Sequence, residues 1–316
     1  MAMDPALRPR MGIWFHLAQF ARLMFWLLLI ALIGLAVAGR FDNSQQLKRN
    51  ALIEQFQAER KSRVIALIHR QERDSVLGVQ VSTSIGIEDS EAILRAIRLT
   101  PDEQPIDLIL HTPGGLVLAA EQIAMALAEH KGKVTVFVPH FAMSGGTLIA
   151  MAAQEIVMDR NAVLGPVDPQ IGGVAASSIL QVVQIKKDRA NDETLIMADM
   201  AAKARVQVAS FVADLLSRRM ERKQAEILAV TMSEGRWTHD FPISVPLAKQ
   251  LGFPVTTDMP RVVYELMDLY PQPSGAGPSV LYVPVRKPGA GTRPPGDELG
   301  PGQPATPQVP RGQPAK

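Results

Sequence analysis

Val134-Thr-Val-Phe-Val138 is a β-branched apolar run, and a short turn separates it from the small, apolar stretch Gly145 to Ala153. The run predicts a fully buried strand, and the stretch after it a helix buried on most sides. Ser144 stands at the turn, at the start of that helix. Two roles are open to a serine there. It can cap the helix, since serine is a preferred cap residue. It can also act as a nucleophile, with Gly145 and Gly146 letting a substrate carbonyl approach the backbone. A second stretch repeats the pattern: Ile106 to Leu110 runs as a strand into His111-Thr-Pro-Gly114-Gly115, and a helix opens after it. Pro-Gly-Gly alone signals only a turn. If the two turns face one another, the N–H groups near Gly115 and Gly145 can jointly hold a developing oxyanion.

These two units belong to a longer alternation. A helix over Leu116 to His130 precedes Val134 to Val138, and Glu155 to Met158 follows the Ser144 helix. Near-continuous apolar strands alternating with helices imply a parallel α/β sheet covered on both faces. Asn161 to Gly173, with Gly165-Pro-Val-Asp168-Pro, reads as a loop near the strand ends. Asp192 to about Lys223 reads as a long amphipathic helix, Pro246 to Gly252 as a short one and Arg261 to Tyr270 as the last.

The ends of the chain are different in kind. Leu23 to Gly39 is apolar and uncharged, between Arg22 and Arg40, and can be lengthened upstream through Trp14. It predicts a single transmembrane anchor over residues 1–40, at the short end of a spanning length. A cleaved signal peptide is the rival, because Ala36-Val-Ala38-Gly imitates a cleavage site. The heavier load of Arg and Lys after the span leans towards a cytoplasmic domain. Residues 41–74 read as an amphipathic juxtamembrane helix, 75–270 as the folded domain and 271–316 as a disordered Pro/Gly-rich tail, since half of the 24 prolines lie there.

Composition removes several chemistries. Cysteine is absent, so there are no disulfides, thiolate nucleophiles or zinc–thiolate sites. The six histidines are scattered without ligand spacing, and neither a metal nor a cofactor is expected. The formal charge is +2 and no basic run is interleaved with aromatics, which argues against a nucleic-acid partner.

Together, His111-Thr-Pro-Gly-Gly115, Ala142-Met-Ser144-Gly-Gly146, Leu164-Gly-Pro-Val-Asp168-Pro-Gln and Gly235-Arg-Trp237-Thr resemble the Clp-protease/crotonase superfamily. The nearest likeness is to the membrane-anchored serine peptidases around signal peptide peptidase A, the stomatin-cleaving proteases and the serine dehydrogenase proteinases. The resemblance implies a ClpP/crotonase-like spiral of ββα units, Ser144 as nucleophile and an oxyanion hole around Gly114, Gly115 and Gly145. It also implies a homo-oligomer acting on a peptide or membrane-protein substrate. No histidine lies between Ser144 and His239, so the Clp-type order of triad residues is missing, and a lysine base is expected instead. Of Lys186, Lys187 and Lys203, the last sits alone among small apolar residues and is the expected partner in a Ser144/Lys203 dyad. It would need burial to bring its pKa towards neutrality. His111 and His140 flank the two turns as substrate-lining or structural groups and as the other candidate bases; Asp168 is expected to order its loop and line the site. An acyl-CoA enzyme of the crotonase type and a non-catalytic membrane scaffold of the same fold are the alternatives.

Overall fold

A computed structural model describes residues 13–69 and 84–270. The alternating, strand-like stretch Val76 to Val81 and the proline-rich tail lie outside the described residues. Five parallel strands form the main sheet, β1 (Arg63–Ile68), β2 (Ile106–His111), β3 (Val134–Val138), β5 (Glu155–Met158) and β10 (Val255–Thr256), in the spatial order β1-β2-β3-β5-β10. Alternation along each strand sends side chains to opposite faces. Leu108 and Leu110, with Val134, Val136 and Val138, join the larger core, whereas Ile109, Phe137 and Val157 join a smaller one on the other face.

Helices cover both faces, as the continuous apolar strands require. The larger core is built with α2 (Ile87–Arg98), α3 (Val117–Glu129), α4 (Gly145–Ala150) and parts of α6 (Asp192–Leu216), α7 (Arg222–Ser233) and α8 (Val245–Gln250). The smaller core is closed by α9 (Arg261–Asp268) and by the last turns of α1 (Ile13–Arg60). Two short strands beyond β3, β4 (Phe141–Ala142) and β6 (Val163–Leu164), pair in parallel, and β9 (Ile243–Ser244) adds to β6 in the opposite sense. A small hairpin, β7 (Gln170–Ile171) and β8 (Val174–Ala175), leads into α5 (Ala176–Lys186).

The N-terminal helix differs from expectation. Residues 13–60 form one helix, and its stretch Leu17–Gly34 is long and apolar enough to cross a membrane and has no buried residue. The helix expected to continue to about residue 73 stops at Arg60. Lys61 turns the backbone to φ 53°, and Arg63–Ile68 becomes an edge strand of the main sheet. Val64, Leu67 and Ile68 match helical spacing, but Val64-Ile65-Ala66-Leu67-Ile68 is also an uninterrupted apolar run, and pairing with β2 decides for the strand. Asp107, 1% exposed, anchors this junction by accepting hydrogen bonds from Arg60 and from Ser62 Oγ at 2.6 Å. The region expected as one long helix from Asp192 is a hairpin of α6 and α7.

Phe56 is 2% exposed and meets Phe137 edge-to-face at 5.5 Å, fastening α1 to the sheet. Phe56→Ala is expected to destabilise the domain by about 3–4 kcal/mol. The shift of the urea unfolding midpoint of the purified protein measures it.

Candidate active site

The two turns singled out in the sequence meet. A Cβ added to Gly114 would lie 2.7 Å from Ser144 Cβ and 3.2 Å from Gly145 N, and one added to Gly145 would lie 3.6 Å from Gly115 N. Gly114 also has φ +107°, which disfavours any side chain. Its N–H approaches Thr112 Oγ1 at 3.2 Å, and the same hydroxyl lies 2.8 Å from His69 Nδ1. His69 in turn reaches Asp89 at 3.3 Å, so a buried polar chain supports the glycine turn from behind.

Ser144 sits at φ 50°, ψ −118°, a conformation that costs free energy at a residue with a side chain. It makes no side-chain cap to α4. The cap role is thereby removed, and a serine held in strain on a strand-to-helix elbow is the geometry of a presented nucleophile. The backbone N–H groups around it divide in a useful way. Gly146 N–H is taken by Met143 O at 2.7 Å, while Gly145 opens the helix, where N–H groups have no intrahelical acceptor. Ile85 bonds Gly114 O and Leu116 N on one side of the second turn. In that parallel bridge the N–H of Gly115 points away from Ile85.

Buried hydrogen bonds bring the next loop to this elbow. Thr147, fully buried in α4, donates to Ala142 O at 2.7 Å and accepts from Gly165 N at 2.9 Å. Val167 N–H then bonds Met232 O at the end of α7. Asp168, only 3% exposed, follows directly. His239, on the turn after α7, places Nδ1 2.8 Å from Asp168 Oδ1, and Gln170 Nε2 donates to Asp168 Oδ2 at 2.7 Å. A carboxylate can only accept here, so Nδ1 carries the proton and Nε2 is left as the acceptor. The hydrogen bond to Asp168 raises the His239 pKa above its ordinary 6.5, and burial opposes this. A cleft of about 220 Å³ is lined by Ser144, Gly115, Gly145, Asp168 and His239 together.

The other expected residues fall elsewhere. Lys203, expected as the base, is absent from the lining of this cleft; its side chain is 68% exposed and pairs with Asp199 at 2.5 Å, one turn away. The burial that a lysine base requires is missing. His111 is 2% exposed, its ring 4.2 Å from that of Phe141 and 5.6 Å from that of His140, and neither imidazole lines the cleft. Burial, with His140 and His69 nearby, depresses the His111 pKa to about 4. Sequence pattern alone does not single out His239. It directly follows Gly235-Arg-Trp237-Thr, but nothing local signals that a carboxylate 71 positions earlier is its partner.

A parallel α/β sheet that presents a strained serine beside a glycine turn, with an imidazole and a carboxylate in the same cleft, is the arrangement of a serine hydrolase. The chain belongs to the ClpP-like SDH-type serine proteinase family, whose profile matches residues 14–292. Two uncharacterized proteins of Methanocaldococcus jannaschii are similar to it. One is 56% identical over 239 residues, 76% of this chain and 82% of its own length. The other is 52% identical over 264 residues, 83% of this chain and 91% of its own. Similar solved structures include ClpP1 from Listeria monocytogenes, at TM-score 0.41 and 15% identity over 65% of this chain and 96% of that one. A membrane-bound stomatin-specific protease has TM-score 0.39 and 18% identity over 59% of this chain and 79% of that one.

The carboxylate favours protonated His239, so this pair stabilises the fold fully below the unfolded histidine pKa and loses its contribution as pH rises through the raised folded value. In Asp168→Asn that support disappears while burial persists. The His239 pKa is expected to fall below 6.5, as read from the pH titration of its ring proton by NMR.

Proposed function

We propose that the protein is a membrane-anchored serine endopeptidase in which Ser144 is the nucleophile, His239 the general base and Asp168 the carboxylate that orients the imidazole. The observation that carries this reading is the 2.8 Å Asp168–His239 hydrogen bond in the cleft that Ser144 lines. A peptide enters as an extended strand beside Pro113-Gly-Gly. His239 Nε2 takes the proton from Ser144 Oγ as that oxygen attacks the scissile carbonyl. The carbonyl oxygen becomes an oxyanion facing the N–H groups of Gly115 and Gly145, each donor contributing about 3 kcal/mol in comparable sites. The protonated imidazole then gives its proton to the departing amine as the C–N bond breaks. Water, deprotonated by the same nitrogen, hydrolyses the acyl ester and frees Ser144.

The apolar, exposed Leu17–Gly34 supports the anchor, and the cations after it favour a cytoplasmic catalytic domain. Homo-oligomeric assembly is part of the proposal as well, because Ile185, Ile196 and Met200 leave apolar surface open on α5 and α6. A Ser144/Lys203 dyad would need a subunit contact to bury the Lys203 amine.

Turnover of a fluorogenic peptide library tests these roles. Ser144→Ala is expected to abolish cleavage without moving the thermal transition, and His239→Gln to lower kcat by at least ~10³-fold. Lys203→Met is expected to stay within about threefold of the unaltered protein, since an exposed ion pair contributes little. Loss of activity in Lys203→Met, with His239→Gln still active, would transfer the base to the lysine.

A further inference from the structure

A groove of about 770 Å³ opens between α3 and α6 and runs into the Ser144 cleft, with Val117, Pro169, Gln170 and Val208 bordering both. Leu118, Val206 and Phe211 make much of its wall apolar. Two charged side chains reach it, Glu121 and Asp214, and both are acidic. Asp214 is already paired with Arg222 at 2.6 Å. Glu121 is the different one. Burial raises its carboxyl pKa, and no cation or hydrogen bond offsets that among the described residues.

A half-buried carboxylate without a cation carries a desolvation cost that an incoming positive charge would offset. The groove has no positive side chain of its own to do so. Its wall suits an aliphatic stem with a charged head, the build of lysine and arginine. Continuity with the Ser144 cleft makes it the path open to a chain that extends away from a bond held there.

We propose that this groove binds the substrate polypeptide on one side of the scissile bond and that Glu121 selects a lysine or arginine side chain at one position of it. The inference rests on the Ser144 cleft being the peptidase site. Glu121 then determines specificity and takes no part in bond breaking: it lies on the second turn of α3, in the groove and not among the residues of the 220 Å³ cleft.

The test uses the full chain in detergent and fluorogenic peptides in which lysine replaces norleucine at one position at a time, on both sides of the cleaved bond. At one position the unaltered protein is expected to prefer lysine about tenfold in kcat/KM, the effect of one partly desolvated charge pair. Glu121→Gln should reduce that preference to within about twofold, and Glu121→Lys should turn it towards glutamate. Glu91→Gln, exposed on α2 and away from the groove and the cavity beside it, should leave it unchanged. Cleavage with no discriminating position, or a preference that Glu121→Gln leaves intact, would overturn the inference while the peptidase reading stands. A change of oligomer mass in Glu121→Gln, without a change of preference, would make the groove a contact between copies and also overturn it. If no peptide is cleaved, anisotropy of labelled peptides on Ser144→Ala decides. Lysine-dependent binding lost in Ser144→Ala/Glu121→Gln would keep the groove and remove the peptidase. Equal binding by the two would remove the groove as well.

Discussion

The contact between the Pro113-Gly-Gly turn and the Ser144 elbow is what the rest of the site depends on. Two strands of one parallel sheet, β2 and β3, end side by side, and each passes into a turn and a helix at the same edge. The turns can close on each other only because position 114 has no side chain: a Cβ there would stand 2.7 Å from that of Ser144. This closeness brings the Ser144 elbow against the Gly114–Gly115 turn, so that two different strand–turn–helix units contribute backbone to one place. Neither strand–turn–helix unit makes such a site alone. The strain at Ser144 is sustained by the fully buried segment after it, Gly145 to Ala150, which has little room to relax.

From that contact the remaining chemistry is assembled by buried hydrogen bonds and not by sequence proximity. Thr147 uses its hydroxyl twice, to Ala142 O and from Gly165 N, and so ties the elbow to the following loop. Val167 N–H to Met232 O then ties that loop to the end of α7, from which the His239 turn departs. Asp168 lies between these two fixings, and each of its carboxylate oxygens accepts one hydrogen bond, from His239 and from Gln170. A buried carboxylate so partnered avoids the cost of an unpaired charge and holds the imidazole ring in one tautomer.

Much of this was legible in the chain. Ile106–His111, Val134–Val138 and Glu155–Met158 are runs too apolar for anything but a sheet covered on both faces, and they are the central strands. Ser144 and the two glycine turns followed from the same runs, because a parallel strand must end in a turn before its helix. The edge strand Arg63–Ile68 was misread as helix because its apolar positions satisfy both periods, and only the neighbouring β2 breaks the tie. The proposed base was harder still. Lys203 suited the part by its small apolar neighbours, yet burial is a property of packing, and α6 turns that side chain to solvent, where it pairs with Asp199. His239 and Asp168 meet across 71 positions through loops that carry no period at all.

The histidines show how environment assigns roles to one residue type. His111 lies beside the glycine turn and was the more conspicuous candidate. Burial without any carboxylate drives its pKa to about 4, so it stays neutral, and its ring packs against Phe141. His239 is only half-withdrawn from water and faces Asp168, which pulls its pKa in the opposite direction. A base is effective when its pKa lies near the working pH and one nitrogen is open to the substrate. Among the described histidines, His239 alone couples a carboxylate at Nδ1 with a place in the Ser144 cleft. His69 also has a carboxylate, but its other nitrogen is engaged with Thr112 in support of the glycine turn. The fold thus spends one imidazole on holding the turn and buries another against Phe141, while a third, held by Asp168, lines the cleft that Ser144 also lines.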